Sequence, residues 1–118
     1  MEKLAHSTKA SEDLLRSLAE GEGVALRPMF RNLTAFVQGN MYMGVYGQDL
    51  FVRLSEEGRA ELLKVRGAVV FEPIKGRQMK EYVVVPKAWT GDPKKIKPWA
   101  AKALQWADSL PPKKAKKR

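Results

Sequence analysis

The side chains that could do chemistry are few and scattered. The one histidine, His6, stands close to the chain start, where ends fray, so a Ser-His-Asp arrangement or a histidine metal site would depend on a terminal residue. Glu56, Glu57 and Glu61 alternate with Arg59 and Lys64, which is the pattern of a solvated helix face rather than of an acid/base pair. No run of Asp and Glu has the spacing of a calcium loop. The absence of cysteine removes thiolate ligands, disulfides and sulfur nucleophiles together. The expectation is a protein that is not an enzyme, with no catalytic, cofactor-binding or metal-binding residue.

Positive charge is the other chemical resource. Of a formal net charge of +9, the last six residues carry five basic groups, Lys113, Lys114, Lys116, Lys117 and Arg118, and no acid. Five such charges engaging phosphates would give a log-log salt slope of roughly −4.5, with weak and sequence-blind affinity. No aromatic residue interleaves with them to stack on bases. A second basic stretch, Lys75-Gly76-Arg77-Gln78-Met79-Lys80, holds one glycine and leads into a strand, unlike a phosphate-cradling loop that opens a helix. Lys75, Arg77 and Lys80 could hold an anion, with Arg27 and Arg31 adding to the same surface. The plainer reading is that Gly76 makes a turn, Arg77 pairs with Glu72 or Glu81, and Met79 plugs the core edge.

Those groups need a scaffold. With 118 residues the chain suits one domain, and no apolar run approaches the roughly 18 residues of a membrane span. Met1 to Thr8 lacks the apolar segment of a signal peptide, so a cytoplasmic location is expected. Leu14, Leu15 and Leu18 mark a first helix that starts near Ser11 or as early as Glu2 and ends at Gly21 and Gly23. Val24 to Asn32 reads as an extended connector because Pro28 and Asn32 favour extended and turn conformations.

Three short strands then follow, separated by Gly39-Asn40 and Gly47-Gln48. Two-residue turns at both sites set Phe36 opposite Met43 and Thr34 opposite Val45, then Val45 opposite Leu50 and Met43 opposite Val52. Phe36, Met41, Met43, Val45, Leu50, Val52 and Leu54 thereby share a core face. The opposite face, with Val37, Tyr42, Tyr46 and Phe51, is amphipathic; either the first helix or the connector covers it, or it meets a protein partner.

Ser55 caps a second helix from Glu56 to Val65 with Leu62 and Leu63 inward, stopped at Gly67. Ala68 to Glu72 forms a fourth strand ended by Pro73, and Tyr82 to Val85 a fifth ended by Pro86. Asp92-Pro93 opens a last helix that Pro98 kinks or splits. Trp99, Ala103, Trp106 and Leu110 form one stripe on it, with Ile96, Ala100 and Ala107 beside. The expected fold is α+β, in the order α-β-β-β-α-β-β-α, with one mainly antiparallel five-stranded sheet and packed helices. Residues 1–110 make the domain and 111–118 a disordered basic tail.

Several of these segments together resemble the TfoX N-terminal domain family, named for a bacterial competence regulator. They are Arg27-Pro28-Met29-Phe30, the Phe36 to Met41 hairpin around Gly39, Gly76-Arg77-Gln78-Met79 leading to Tyr82 and Pro86, and Trp99 with Ala100 and Ala103. The resemblance runs from about Asp13 to Leu110. It implies a secretion-chaperone-like α+β fold and a small bacterial cytoplasmic module without enzymatic activity, linked in some members to transcriptional control of DNA uptake. One departure is Arg31-Asn32, where the family usually has Gly-Gly. The expected role is a regulatory or protein-binding module that could work as a homodimer, with no membrane partner. The alternative is an accessory protein that binds nucleic acid weakly and without sequence preference through the basic loop and tail.

Overall fold

The computed structural model describes residues 6–29 and 31–112. Its elements are α1 (Lys9–Leu18), β1 (Val24–Met29), β2 (Asn32–Val37), β3 (Asn40–Tyr46), β4 (Asp49–Arg53), α2 (Glu56–Leu63), β5 (Val69–Ile74), β6 (Arg77–Val84), a 3-10 turn (Lys87–Gly91) and α3 (Pro93–Ser109). The six strands form one antiparallel sheet in the order β1-β2-β3-β4-β6-β5. The fold is α+β as expected, with one strand more than the sequence suggested. Most of the expected connector, Val24 to Met29, is instead β1, whose six residues all pair with β2. Pro28 is compatible with that pairing because β1 is an edge strand and needs hydrogen bonds on one side only.

Helix α1 begins on a capping box. The Thr8 hydroxyl accepts from the Ser11 backbone N–H at 3.1 Å, and the Ser11 hydroxyl accepts from the Thr8 N–H at 2.9 Å. Ser11 is therefore the third helical residue rather than the first. Helix α2 starts on Ser55, as its sequence demands, but only Leu62 turns inward; Leu63 stays 39% exposed. Helix α3 runs unbroken through Pro98. Its buried face consists of Ile96, Ala100, Ala103 and Ala107, while Trp99 and Trp106 sit at the flanks, half-buried. The small residues let the helix approach the sheet closely, and the tryptophans brace its sides. Asp92 precedes Pro93 at the helix start but makes no side-chain cap.

Helices α1 and α3 cover β2, β3 and β4, and α2 packs on β6. The core beneath them gathers Leu15, Ala35, Val45, Leu50, Val52, Leu62, Val83 and Ile96, all fully buried. Across the β3–β4 hairpin the register is as expected, with Val45 opposite Leu50 and Met43 opposite Val52. The β2–β3 hairpin differs. Its turn is Gln38-Gly39, with φ of 50° and 81°, so Val37 faces Asn40. Positive φ at both central residues defines a type I′ turn, which suits the strand twist. Phe36 then lies opposite Met41 and Ala35 opposite Met43, so two steps of β3 match one of β2 and Tyr42 is a β-bulge.

That bulge decides which residues meet the helices. Tyr42 and Met43 are both buried on the helix side, joined by Ala35 and Val37. The expected core face therefore holds for Met43, Val45, Leu50, Val52 and Leu54 but not for Phe36 and Met41, which fall on the other face. Conversely Val37 and Tyr42, expected on a partner face, are only 2% and 1% exposed and belong to the core.

Candidate functional site

The side of the sheet away from the helices is neither polar nor bare. Its centre is an aromatic cluster that is separate from the helix-covered core. Phe51 stacks on Phe71 at a centroid distance of 4.2 Å, and Tyr46 and Tyr82 meet these rings edge-on at 5.5 and 5.7 Å. Gly44 makes room for it. A Cβ at that position would stand 2.6 Å from Phe51 Cζ and 2.9 Å from Thr34 Cγ2.

The stretch Pro73 to Lys80, expected as a loop, forms the end of the β5–β6 hairpin. Ile74 pairs with Arg77 around a turn in which Gly76 has φ of 85°. The sequence hid this arm because Arg77-Gln78-Met79-Lys80-Glu81 exposes every side chain but Met79, which is half-buried. Strand β4 pairs with β6 only at its Tyr82 to Val84 end, so the rest of β6 is free to bend away from β4. The Tyr46 hydroxyl donates to the Pro73 carbonyl at 3.1 Å and ties the arm to the sheet.

Between arm and sheet lies a cavity of about 360 Å³ with almost wholly apolar walls. Met41, Val45, Tyr46 and Phe51 form its floor; Phe71, Pro73, Ile74, Arg77 and Met79 come from the arm; Met29, Asn32 and Thr34 close the β1–β2 side. Its polar wall groups are largely engaged within the protein. Asn32 Oδ1 accepts from the Gly47 N–H at 2.9 Å, and the Thr34 hydroxyl donates to the Arg27 carbonyl at 2.7 Å.

The acids expected to neutralise Arg77 are committed elsewhere. Glu72 accepts from the Gly76 N–H at 2.5 Å, and Glu81 pairs with Arg53 at 2.8 Å. The Arg77 side chain is exposed and makes no ion pair or hydrogen bond with the described residues. Lys75 and Lys80 are likewise exposed and unpaired among them. Arg77, Tyr82 and Glu81 do not converge on the cavity as an acid/base site would require. Arg77 alone of the three lines it, and the Tyr82 hydroxyl donates to the Met41 carbonyl at 3.2 Å. Burial raises the Tyr82 pKa, with Arg53 opposing and Glu81 adding to the shift.

The other expected positions divide plainly. Tyr46 and Phe51 are on the open face, though Phe51 is sealed under Phe71 and buried. The Arg27 guanidinium lies 5.5 Å over the Phe36 ring, and Arg31 occupies the turn after β1 with φ of 66°. Pro28 and Met29 sit on β1, Gly39 and Gly76 in turns, and Pro86 is buried against Gly67. Phe30 and the basic residues Lys113, Lys114, Lys116, Lys117 and Arg118 lie outside the described residues. Phe71, Met41 and Ile74 were missed as site residues. The signal for Met41 is the bulge, which no alternation pattern reveals, and for Ile74 the arm. Among the described residues no cluster of His, Asp and Glu could hold a metal ion, and no helix is long and apolar enough to cross a membrane.

Among curated proteins and solved structures, no match was found. The family model described as the TfoX N-terminal domain matches residues 14–107, from α1 through nearly all of α3. That span includes the bulged β2–β3 hairpin, the aromatic cluster and the arm, so with most of its length matched the chain belongs to the TfoX N-terminal domain family.

Proposed function

We propose that this protein is a non-enzymatic regulatory module that works by binding, with the open sheet face and its arm as the working surface. The observation that carries this reading is the apolar cavity held between arm and sheet, beside a helix-covered core that is complete without it. Pockets of this kind, largely preformed and apolar with few polar groups, are the usual place for recognition. Membership of the family favours a setting in transcriptional or competence control, in the cytoplasm. The secretion-chaperone-like arrangement implied by the family resemblance fits the same view, since it gives the sheet a face for a protein partner or a second copy.

The test compares partner capture by the full chain with two charge variants. Ile74→Asp alters the rim of the cavity, where Ile74 is 43% exposed. Glu57→Lys alters an exposed site on α2. Loss of captured protein with Ile74→Asp but not with Glu57→Lys is the expected result. Equal capture by both variants, or a strictly monomeric chain by light scattering that captures nothing, contradicts the reading.

A second reading has its own observation. Lys75, Arg77 and Lys80 are exposed on the arm without acid partners among the described residues, and Arg31 stands at the β1–β2 turn near the opposite wall. These cations and the lysine tail would make a weak accessory contact to nucleic acid. DNA and RNA titrations at two salt concentrations, with and without Lys113 to Arg118, decide it. A steep salt dependence that flattens on deletion supports the contact, and undetectable binding by the full chain removes it.

A further inference from the structure

We propose that the cavity under the β5–β6 arm is a site for a small amphiphilic monoanion, an apolar body of roughly ten carbons ending in a carboxylate or similar acid, with Arg77 as its counter-ion. The inference rests on the reading of the open face as the working surface and names what that face takes.

The size of the cavity limits the ligand. About 360 Å³ is more than twice the ~150 Å³ apolar cavity that takes a benzene molecule. That is room for a body of roughly a dozen heavy atoms, and too little for the full chains of a membrane lipid. The walls set the chemistry. Methionine and aromatic side chains dominate them, and the thioethers of Met29, Met41 and Met79 can adapt to an irregular apolar shape. Water gains little there, because a stable buried water needs two to four polar partners. The Tyr46, Thr34 and Asn32 side chains spend hydrogen bonds inside the protein.

Charge then selects the sign of the head group. Among the described residues that line the cavity Arg77 alone is charged, and both neighbouring acids are engaged by Gly76 and Arg53. Because the walls are almost wholly apolar and Arg77 is exposed, its stem lines the cavity and its guanidinium stands at the open mouth, where it favours a planar oxyanion that can take two parallel hydrogen bonds. A neutral ligand would use the apolar walls but leave that cation unanswered. A cationic one would meet like charge from Arg77, with Lys75 nearby on the turn.

Decanoate is a suitable probe, with decanol as its neutral counterpart, both below the concentrations at which they aggregate. The methionine methyl groups, labelled with carbon-13 in the full chain, report on it. Met29, Met41 and Met79 line the cavity, whereas Met43 is fully buried on the helix side and serves as an internal control. The expected result is saturable decanoate binding that shifts the three lining methyls and leaves Met43 unmoved. Decanol should bind about tenfold more weakly, and Arg77→Met should bring decanoate down to the level of decanol. Because Arg77 is exposed, that variant is expected to fold; Met79→Trp, which fills the cavity from the arm, should abolish binding of both. Absent saturation, shifts shared by Met43, or decanoate affinity unchanged in Arg77→Met would each overturn the inference. Binding that follows these rules stands whether or not a protein partner is captured. Its failure removes the ligand and leaves the Ile74→Asp comparison to judge the module.

Discussion

Gly44 and Phe51 offer the sharpest test of the open face as a packed structure. Gly44 has an ordinary extended backbone, so replacing it with alanine would by itself stabilise the strand by about 0.5–1 kcal/mol, because glycine loses more entropy on folding. The new methyl, however, would meet the Phe51 ring at 2.6 Å and the Thr34 methyl at 2.9 Å. Overpacking of that kind costs about 1–3 kcal/mol. The steric cost wins, and Gly44→Ala should be net destabilising by about 1–2 kcal/mol, a fall in Tm of roughly 4–8 °C for a domain of this size. Phe51→Ala should cost about 3–5 kcal/mol, since Phe51 is buried and stacked on Phe71. In the double variant most of the Gly44 cost should vanish, because the clashing ring is gone, with only the Thr34 contact left to relax. A urea-denaturation cycle over the four proteins should therefore give a coupling of about 1–2 kcal/mol. Additive effects, or a stabilising Gly44→Ala, would refute the idea that this glycine exists to admit the ring.

Other consequences are simpler to state. Thr8→Ala removes the hydroxyl of the α1 capping box and should lower stability by about 0.5–2 kcal/mol in thermal unfolding. The Tyr42 hydroxyl is buried without a hydrogen-bond partner among the described residues, so Tyr42→Phe should be neutral or stabilising, by about 1 kcal/mol. Burial pushes the Tyr42 pKa up to about 12 from 10.0, so the folded chain keeps a proton that the unfolded chain gives up. The stability from that proton is complete below pH 10 and is lost as pH rises towards 12, and Tyr42→Phe should unfold less steeply across that window. Arg77→Met should leave urea-denaturation stability nearly unchanged, since Arg77 is exposed and makes no ion pair with the described residues, which separates its proposed binding role from folding.

Where a pattern is local, the sequence anticipates the structure. Ser55 caps α2 and Pro93 opens α3, while the Gly47-Gln48 turn sets Tyr46 opposite Asp49 and with it the register of β3 and β4. The departures share a physical origin. Alternation along a strand predicts faces only while the ladder is regular, and the bulge at Tyr42 moves Met41 and Phe36 to the open face in one step. Pro28 and Pro73 argue against central strands but are permitted in β1 and β5 because both are edges. The arm escaped notice because a hairpin that leaves the sheet needs no apolar alternation; Met79 is its one half-buried residue between Arg77 and Glu81. Lys75, Arg77 and Lys80 could be singled out from composition alone. That Arg77 lines an apolar cavity, with Glu72 and Glu81 held by other partners, depends on pairings between distant segments.

The proposal that the arm and open face, rather than the helices, form the working surface has a direct test. A benzophenone-bearing residue placed at Ile74 on the arm, or at Glu57 on α2, tests it by photo-cross-linking in living cells. The account predicts a discrete adduct from the arm position and none from α2. Adducts from α2 with none from Ile74 would contradict it.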